Sequence, residues 1–402
     1  MANAEISTAA KGKERRPSAV LQVLPRLVTG GVERGTVEIT QALTNAGWKA
    51  VVASAGGPMV REIERAGGVH VTLPLASKNP LVIHANIGRL AQVIRDHNID
   101  IVHARSRAPA WSARAAAKRT GVHFVTTFHN AYGAENAVKR LYNSVMARGE
   151  LVIAISGFVA DHITAVYGVP RERIRVIHRG VDIKRFDPEK VRAERIIKLM
   201  EEWRLPDGMP VVMLPGRLSR WKGHLVLIEA MVHLNRPAVQ CLLVGAGSAS
   251  YRKAISDAIA RARAPGNFRI LDNCNDMAAA YKLADVVISP ATEPEGFGRV
   301  IVEAQAMGRP VIATGHGGAV ETVIDKETGW LVPPGDSEAL AKAIARALDL
   351  SPEERRAMAA RAIEHIRKDF TSDTMAARTI AVYEELLRGV GAAASAQGSV
   401  AA

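Results

Sequence analysis

Two short stretches carry residue types suited to holding a phosphorylated sugar. In Gly216-Arg217-Leu218-Ser219-Arg220-Trp221-Lys222-Gly223, two glycines bracket a fork-shaped cation, Arg217, and a point cation, Lys222. Gly216 and Gly223 allow tight backbone turns. The cations stand just before a helical pattern whose first amides are free to donate. This combination makes a diphosphate site, or else a surface loop with ordinary basic residues. In Glu293-Pro294-Glu295-Gly296-Phe297-Gly298-Arg299-Val300-Ile301-Val302-Glu303, seven residues separate Glu295 from Glu303. Glu295 lies in a glycine-rich loop, and Glu303 lies a turn or more into a helix starting near Arg299. Carboxylates accept from vicinal hydroxyls, so the pair can hold two sugar rings of one ligand. Gly296 and Gly298 would free backbone amides beside one of those rings. Glu303 also reads as a solvated helix residue.

Other candidates surround these two. Gly30-Gly31 and Gly317-Gly318 each fall between an apolar run and a helical pattern. Either is a plain turn or a sheet-edge loop facing a cleft. His129, in Thr127-Phe128-His129-Asn130, ends an apolar run. An imidazole there can reach a bound sugar or serve packing, and His103 carries the same ambiguity. Gly245-Ala246-Gly247-Ser248-Ala249-Ser250 is a poor dinucleotide fingerprint. Ser250 replaces the third glycine, and the preceding strand is not the first of its domain, which disfavours a nicotinamide enzyme.

These residues need a frame that alternates strands with helices. Apolar runs predict strands at 20–24, 50–54, 70–73, 99–104, 123–127, 151–155 and 174–177, then at 211–214, 240–244, 268–271, 286–288, 311–313 and near Trp330. Helical patterns fill the gaps, among them 32–46, 81–97 and 157–167. Repeated alternation requires crossover connections, hence parallel sheets covered on both faces. The break between halves falls near 185–210, where Phe186-Asp187-Pro188 opens a charged helix ending around Trp203. The chain divides into a front α/β domain at 18–187, a rear one at 188–370, and a last helix at 371–388 expected to pack back on the front domain. Residues 1–17 and 389–402 read as disordered. Doubly wound sheets bind ligands at their strand C-termini, so two of them facing one cleft would hold one ligand between them.

Composition narrows the class further. The 402 residues exceed one ordinary core. Cys241 and Cys274 make no disulfide framework and have no metal-ligand spacing. No run approaches a membrane span, and the polar, basic start has no apolar core of a secretory signal. A cytoplasmic protein, with or without attachment to the inner face of the membrane, is expected. Residues 1–190 hold 27 Lys and Arg against 15 Asp and Glu, whereas the remainder is nearly neutral. A basic front half suits an anionic partner or is simply a soluble surface. The stretch 135–148 interleaves Leu141, Tyr142, Val145 and Met146 with Lys139, Arg140 and Arg148. It reads as an amphipathic helix lying on an anionic membrane or packed on its own sheet. Arg105, Arg107, Arg114, Lys118 and Arg119 add positive charge nearby.

Taken together, the motifs resemble the retaining glycosyltransferases of family 4, which have the GT-B fold. The matches are Gly-Arg-Leu-x3-Lys-Gly at 216–223, Glu-x7-Glu at 295–303 and Gly-Gly-x-x-Glu at 317–321. Val176-Ile177-His178-Arg179-Gly180-Val181-Asp182 and Trp330-Leu331-Val332-Pro333-Pro334-Gly335-Asp336 also match. The resemblance spans about Leu21 to Leu387 and is nearest to alphaproteobacterial enzymes of lipopolysaccharide or capsule synthesis. It implies that Arg217 and Lys222 bind the donor diphosphate, with amides at Gly30-Gly31, Gly298 and Arg299. It places Glu303 on the ribose, Glu295 on the donor sugar, Gly216 at the turn, and Gly296 and Phe297 around the sugar pocket. His129 would lie near the transferred sugar, and Asn273 beside the base. Arg179 departs from the Asn common in the family. The implied reaction is transfer of a hexose from a nucleotide-diphosphate sugar, with UDP the expected nucleotide, to a lipopolysaccharide, capsule or glycolipid acceptor. No Asp-x-Asp occurs, so a metal-independent reaction with no cofactor is expected. Arg105, Arg107, Lys139 and Arg140 are the candidate acceptor or membrane contacts, and no nucleic-acid partner is expected. The alternatives are a sugar-nucleotide epimerase or phosphorylase on the same fold, or a non-catalytic polyanion-binding scaffold.

Overall fold

A computed structural model describes residues 16–28, 30–262 and 267–398. The apolar runs form thirteen strands among the described residues. Seven build the front sheet: β1 (Ala19–Val23), β2 (Lys49–Ser54), β3 (Val69–Thr72), β4 (Ile101–Ala104), β5 (His123–Phe128), β6 (Leu151–Ala154) and β7 (Ile174–Val176). Six build the rear sheet: β8 (Val211–Pro215), β9 (Gln240–Val244), β10 (Phe268–Leu271), β11 (Val286–Ser289), β12 (Val311–Thr314) and β13 (Gly329–Val332). The orders are β3-β2-β1-β4-β5-β6-β7 and β10-β9-β8-β11-β12-β13. Every pairing is parallel, for example Val20 against both Ala50 and Ile101. Strands such as β1, β8 and β11 are buried along their whole length. They read as continuous apolar runs because helices cover both faces of each sheet.

Each order reverses direction beside its first strand. The reversal lies between β1 and β4 in front and between β8 and β11 behind. Connections leaving the two neighbouring strands go to opposite faces there, which opens a crevice at the strand C-termini. The loops after β1, β4, β8 and β11 border that crevice. The expected two doubly wound domains are both present, with the predicted strands in place.

The chain crosses between the lobes twice, side by side. Val181 N–H donates to Phe370 O at 2.8 Å, and Ser372 N–H donates to Val181 O at 2.9 Å. A Cβ on Gly180 would lie 2.4 Å from Thr371 O, so the two crossings touch through backbone. The final helix, Ser372–Gly398, lies against the front sheet: Met375, Val382, Tyr383 and Leu386 pack with Val20, Ile39, Leu43 and Ile153.

Three local details differ from the sequence reading. Asp187 caps only a short 3-10 turn, Pro188–Lys190, and the helix proper is Ala193–Trp203. The intervening Val191 is extended and buried, which breaks the helix. The stretch 135–148 forms a helix only over Ala137–Ser144 and then a 3-10 turn, Val145–Arg148. The last helix continues to Gly398 rather than ending near Leu387; its added segment is rich in Ala, the strongest helix former. Of the expected disordered ends, Arg16 is ordered by a two-pronged contact with Asp100, whereas 1–15 and 399–402 lie outside the described residues.

Candidate functional site

The rear loops at the switch point come together by backbone packing. After β8, Gly216 (φ 141°) and the residues that follow run against the loop after β9. Gly216 N–H donates to Val244 O, and Leu218 N–H donates to Ala246 O, each at 2.8 Å. A Cβ on Gly245 would lie 2.1 Å from Gly216 O. The glycines at 245 and 247 thus serve close packing of two loops. Asn273 Oδ1 accepts from Ala246 N–H at 3.1 Å and joins the third loop to them. Gly223 has φ 75°, and a Cβ there would lie 1.8 Å from Pro290 O, so only glycine fits. This contact presses the Lys222 segment onto the loop after β11. Lys222 Nζ donates to Glu295 Oε1 at 2.6 Å, with side chains only 12% and 15% exposed. The Lys222 ammonium also lies 4.7 Å from the Trp221 ring centre. Arg217 is exposed and makes no side-chain hydrogen bond or ion pair with the described residues.

The loop after β11 is held from behind. Gly318 N–H donates to Glu295 O at 2.8 Å, and Cβ atoms on Gly317 or Gly318 would strike the backbone of Glu295 or Phe297. The Phe297 ring is buried against His178 and Phe370, with centroids 6.1 Å from each. The ring anchors the loop from behind. Gly298, at φ 81°, begins the helix Arg299–Ala306 with no side-chain cap. Gly30 likewise begins the helix Gly31–Asn45 uncapped. Among the described residues no side chain occupies the amides of either first turn, as an anion site requires. Glu303 Oε2 accepts from Tyr281 Oη at 2.9 Å, and its other oxygen lies 3.3 Å from Arg299.

The two lobes meet where side chains are missing. A Cβ on Gly296 would lie 3.0 Å from Asn130 Oδ1. One on Gly31 would lie 2.8 Å from Arg179 Nη1 and 3.4 Å from Arg299 Cδ. Arg179 Nη2 donates to His129 Nδ1 at 2.8 Å, and Nη1 donates to Gly31 O. Burial pushes Arg179 down to about 9, helped by Arg299 and Arg105, so it stays charged at neutral pH. Glu321 ties the lobes on the other side. It accepts from Gly157 N–H at 2.7 Å, Phe158 N–H at 2.9 Å and His178 Nε2 at 2.8 Å.

The four residues expected to face acceptor or membrane separate. Arg105 is 5% exposed and donates to Gln22 Oε1 at 3.0 Å, so it belongs to the lobe interior and not to a basic surface. Arg107 is half-buried, donating to Asn143 and stacked 4.5 Å over Tyr132. Lys139 and Arg140 are exposed on Ala137–Ser144 beside Val138 and Leu141, which are 78% and 59% exposed, while Val145 and Met146 enter the core. His103 is fully buried between Tyr383 Oη and Thr127 Oγ1, each 2.7 Å away, so it has a packing role. Among the described residues no group of three His, Cys, Asp or Glu side chains could hold a metal, and no helix is long and apolar enough to cross a membrane.

Comparison with known proteins decides the family. Residues 29–185 match Glycosyltransferase Family 4 and residues 195–365 match Glycosyl transferases group 1. A glycosyltransferase crystal structure from Rickettsia africae is 38% identical, superposes with a TM-score of 0.85, and is matched over 93% of this chain and 99% of that one. The chain belongs to glycosyltransferase family 4. HepE of Anabaena, solved with UDP and glucose, is 25% identical with a TM-score of 0.80, over 91% of this chain and 99% of its own. D-inositol 3-phosphate glycosyltransferase of Xylanimonas cellulosilytica is 31% identical over 71% of this chain and 72% of its own. A putative colanic acid biosynthesis glycosyltransferase of Escherichia coli is 28% identical over 75% and 73%. In this family 4 enzyme, sequence reasoning missed what Tyr281, Arg179 and Glu321 do. Tyr281 gave no warning, because a buried Tyr in Met277–Leu283 reads as core. Arg179 was visible as a departure from the family pattern, and Glu321 as a motif residue without a role.

Proposed function

We propose that the enzyme transfers a hexose from a UDP-sugar to a glycan or glycolipid of the cell envelope, with retention at the anomeric carbon and without a metal. The Lys222–Glu295 pair carries this reading: a cation for the diphosphate lies 2.6 Å from a carboxylate for the sugar, and the helices Gly31–Asn45 and Arg299–Ala306 both start without a side-chain cap. The bond from the anomeric carbon to the β-phosphate oxygen breaks, and charge builds on that oxygen. Lys222, Arg217 and the amides at Gly31 and Arg299 stabilise that charge more in the transition state than in the ground state. These fixed positive groups take the part a metal plays elsewhere. The acceptor hydroxyl forms its bond on the face the diphosphate vacates and passes its proton to the departing phosphate oxygen. Glu303, oriented by Tyr281, accepts from the ribose hydroxyls.

HepE's complex with UDP supports the nucleotide. The inositol phosphate in one relative's name and the colanic acid biosynthesis in another's, together with the basic front half, support an anionic envelope acceptor. Val138 and Leu141, exposed one turn apart with Arg140 beside them, offer a small apolar and basic patch to an anionic inner-membrane surface, whereas Lys139 is already paired with Glu135 at 2.7 Å. The test is incubation with a panel of nucleotide sugars, with and without chelator, following release of nucleoside diphosphate. UDP-sugar turnover that survives the chelator is expected. Consumption of no nucleotide sugar, or turnover abolished by the chelator and restored by a divalent ion, overturns the corresponding part.

A further inference from the structure

His129 ends β5 at the crevice, and one contact sets its chemical state. A guanidinium offers donors and no lone pair. The 2.8 Å contact from Arg179 Nη2 therefore requires His129 Nδ1 to be the accepting nitrogen. The proton of the neutral ring then sits on Nε2, which is buried and has no hydrogen-bond partner among the described residues. The groups facing the ring agree with a neutral imidazole. Arg179 comes from the crossing segment, and Arg105 and His103 come from β4 and the residue after it, with no carboxylate among them. Burial, then those three neighbours, hold His129 well below the usual histidine range. Its own backbone N–H meets the Tyr132 hydroxyl at 3.3 Å, leaving the ring free of that contact. Arg179 is itself braced by Gly31 O, so its fork cannot turn away without losing the front glycine loop.

We propose that Arg179 is a positioning residue that locks His129 as the neutral Nε2–H tautomer, a fixed donor that takes no part in proton transfer. A cavity of about 20 Å³ lined by His103, Arg105, Thr127, His129 and Arg179 lies beside the ring. It is large enough for one water to accept from Nε2–H. The physical need is clear on the reaction proposed above, on which the catalytic half of this inference rests. Charge growing on a departing diphosphate would draw a proton onto a nearby free imidazole. Arg179 supplies the compensating positive charge permanently, so the ring stays a donor throughout.

The test begins with the unliganded protein. Long-range proton–nitrogen spectra of histidine-labelled enzyme, with the ring assigned by its loss in His129→Gln, report the tautomer directly. One Nε2–H ring that does not titrate between about pH 5.5 and 8.5 is expected. In Arg179→Leu, where burial and Arg105 still hold the ring neutral, the Nδ1–H tautomer should appear beside Nε2–H, and transfer should slow. Arg179→Lys, which keeps a donor and a charge, should restore both. An Nδ1–H or titrating ring in the wild type overturns the proposal, as does an unchanged ring in Arg179→Leu. If Arg179→Leu does not fold, the wild-type spectrum decides alone. Absence of any transferase activity would count against the proposed reaction and leave the tautomer result standing.

Discussion

Replacing Lys222 and Glu295 by Ala, singly and together, separates their structural bond from their chemical work. The 2.6 Å contact sits where both side chains are at most 15% exposed. At an effective dielectric of about 20, the gross attraction at roughly 3 Å is about 5–6 kcal/mol, before desolvation and side-chain ordering are subtracted. Contacting residues retain a coupling of about 0.5–3 kcal/mol after those costs, and the burial here points to about 2. Each single change leaves the partner charge unpaired and largely buried, at a cost of about 3–5 kcal/mol. The double variant should therefore be about 2 kcal/mol more stable than the sum of the singles implies. Turnover should behave in the opposite way. Loss of a charge-stabilising donor costs about a hundred- to a thousandfold, and the double variant should recover none of it. Thermal unfolding followed by tryptophan emission and nucleotide release measure the two quantities on the same four proteins. Strict additivity in stability would remove the energetic pairing. Recovery of turnover in the double variant would refute the assignment of either group to the ligand.

Three further outcomes follow from the geometry. Tyr281→Phe removes the 2.9 Å hydrogen bond to Glu303 and should weaken nucleotide binding by about 1.5 kcal/mol, roughly tenfold, in a titration with UDP, while leaving the Lys222 region intact. Gly223→Ala forces a side chain into φ 75° and onto Pro290 O, and should cost more than about 3 kcal/mol in melting experiments, far beyond a surface Gly→Ala change. Glu321→Ala removes the acceptor of three hydrogen bonds between the lobes, so scattering should show a more open molecule and the melting temperature should fall. The pH sign for this carboxylate is fixed. Burial alone would raise it, but His178, Phe158 and Gly157 outweigh burial and hold it below its ordinary value. Its contribution is complete above the ordinary glutamate range and is lost as pH falls through the depressed folded value. The wild type should therefore lose stability relative to Glu321→Ala on acidification, and a constant gap between them would contradict the assignment.

The frame was legible because its signals are local and redundant. Each strand is an apolar run and each gap an amphipathic pattern, so β1 through β13 could be placed from residues a few positions apart. The glycine-rich loops were legible for a related reason. Gly216, Gly223 and Gly298 adopt φ of 141°, 75° and 81°, backbone states that select glycine in the sequence itself. What stayed hidden depends on partners far along the chain. Arg105 and Lys139 are both basic residues of the front half, yet one is buried against Gln22 and the other faces solvent. Phe297 sits in the Glu-x7-Glu stretch, and its ring packs on His178 and Phe370, which come from both crossing regions. Glu321 reaches Gly157, 164 positions earlier. Tyr281 and Glu303 lie 22 apart on different helices. In each case residue type determines what a group can do, and only packing against distant parts of the chain determines what it does. The site is composed at the lobe boundary, so substitutions there should separate activity from stability, whereas substitutions in the strands should not.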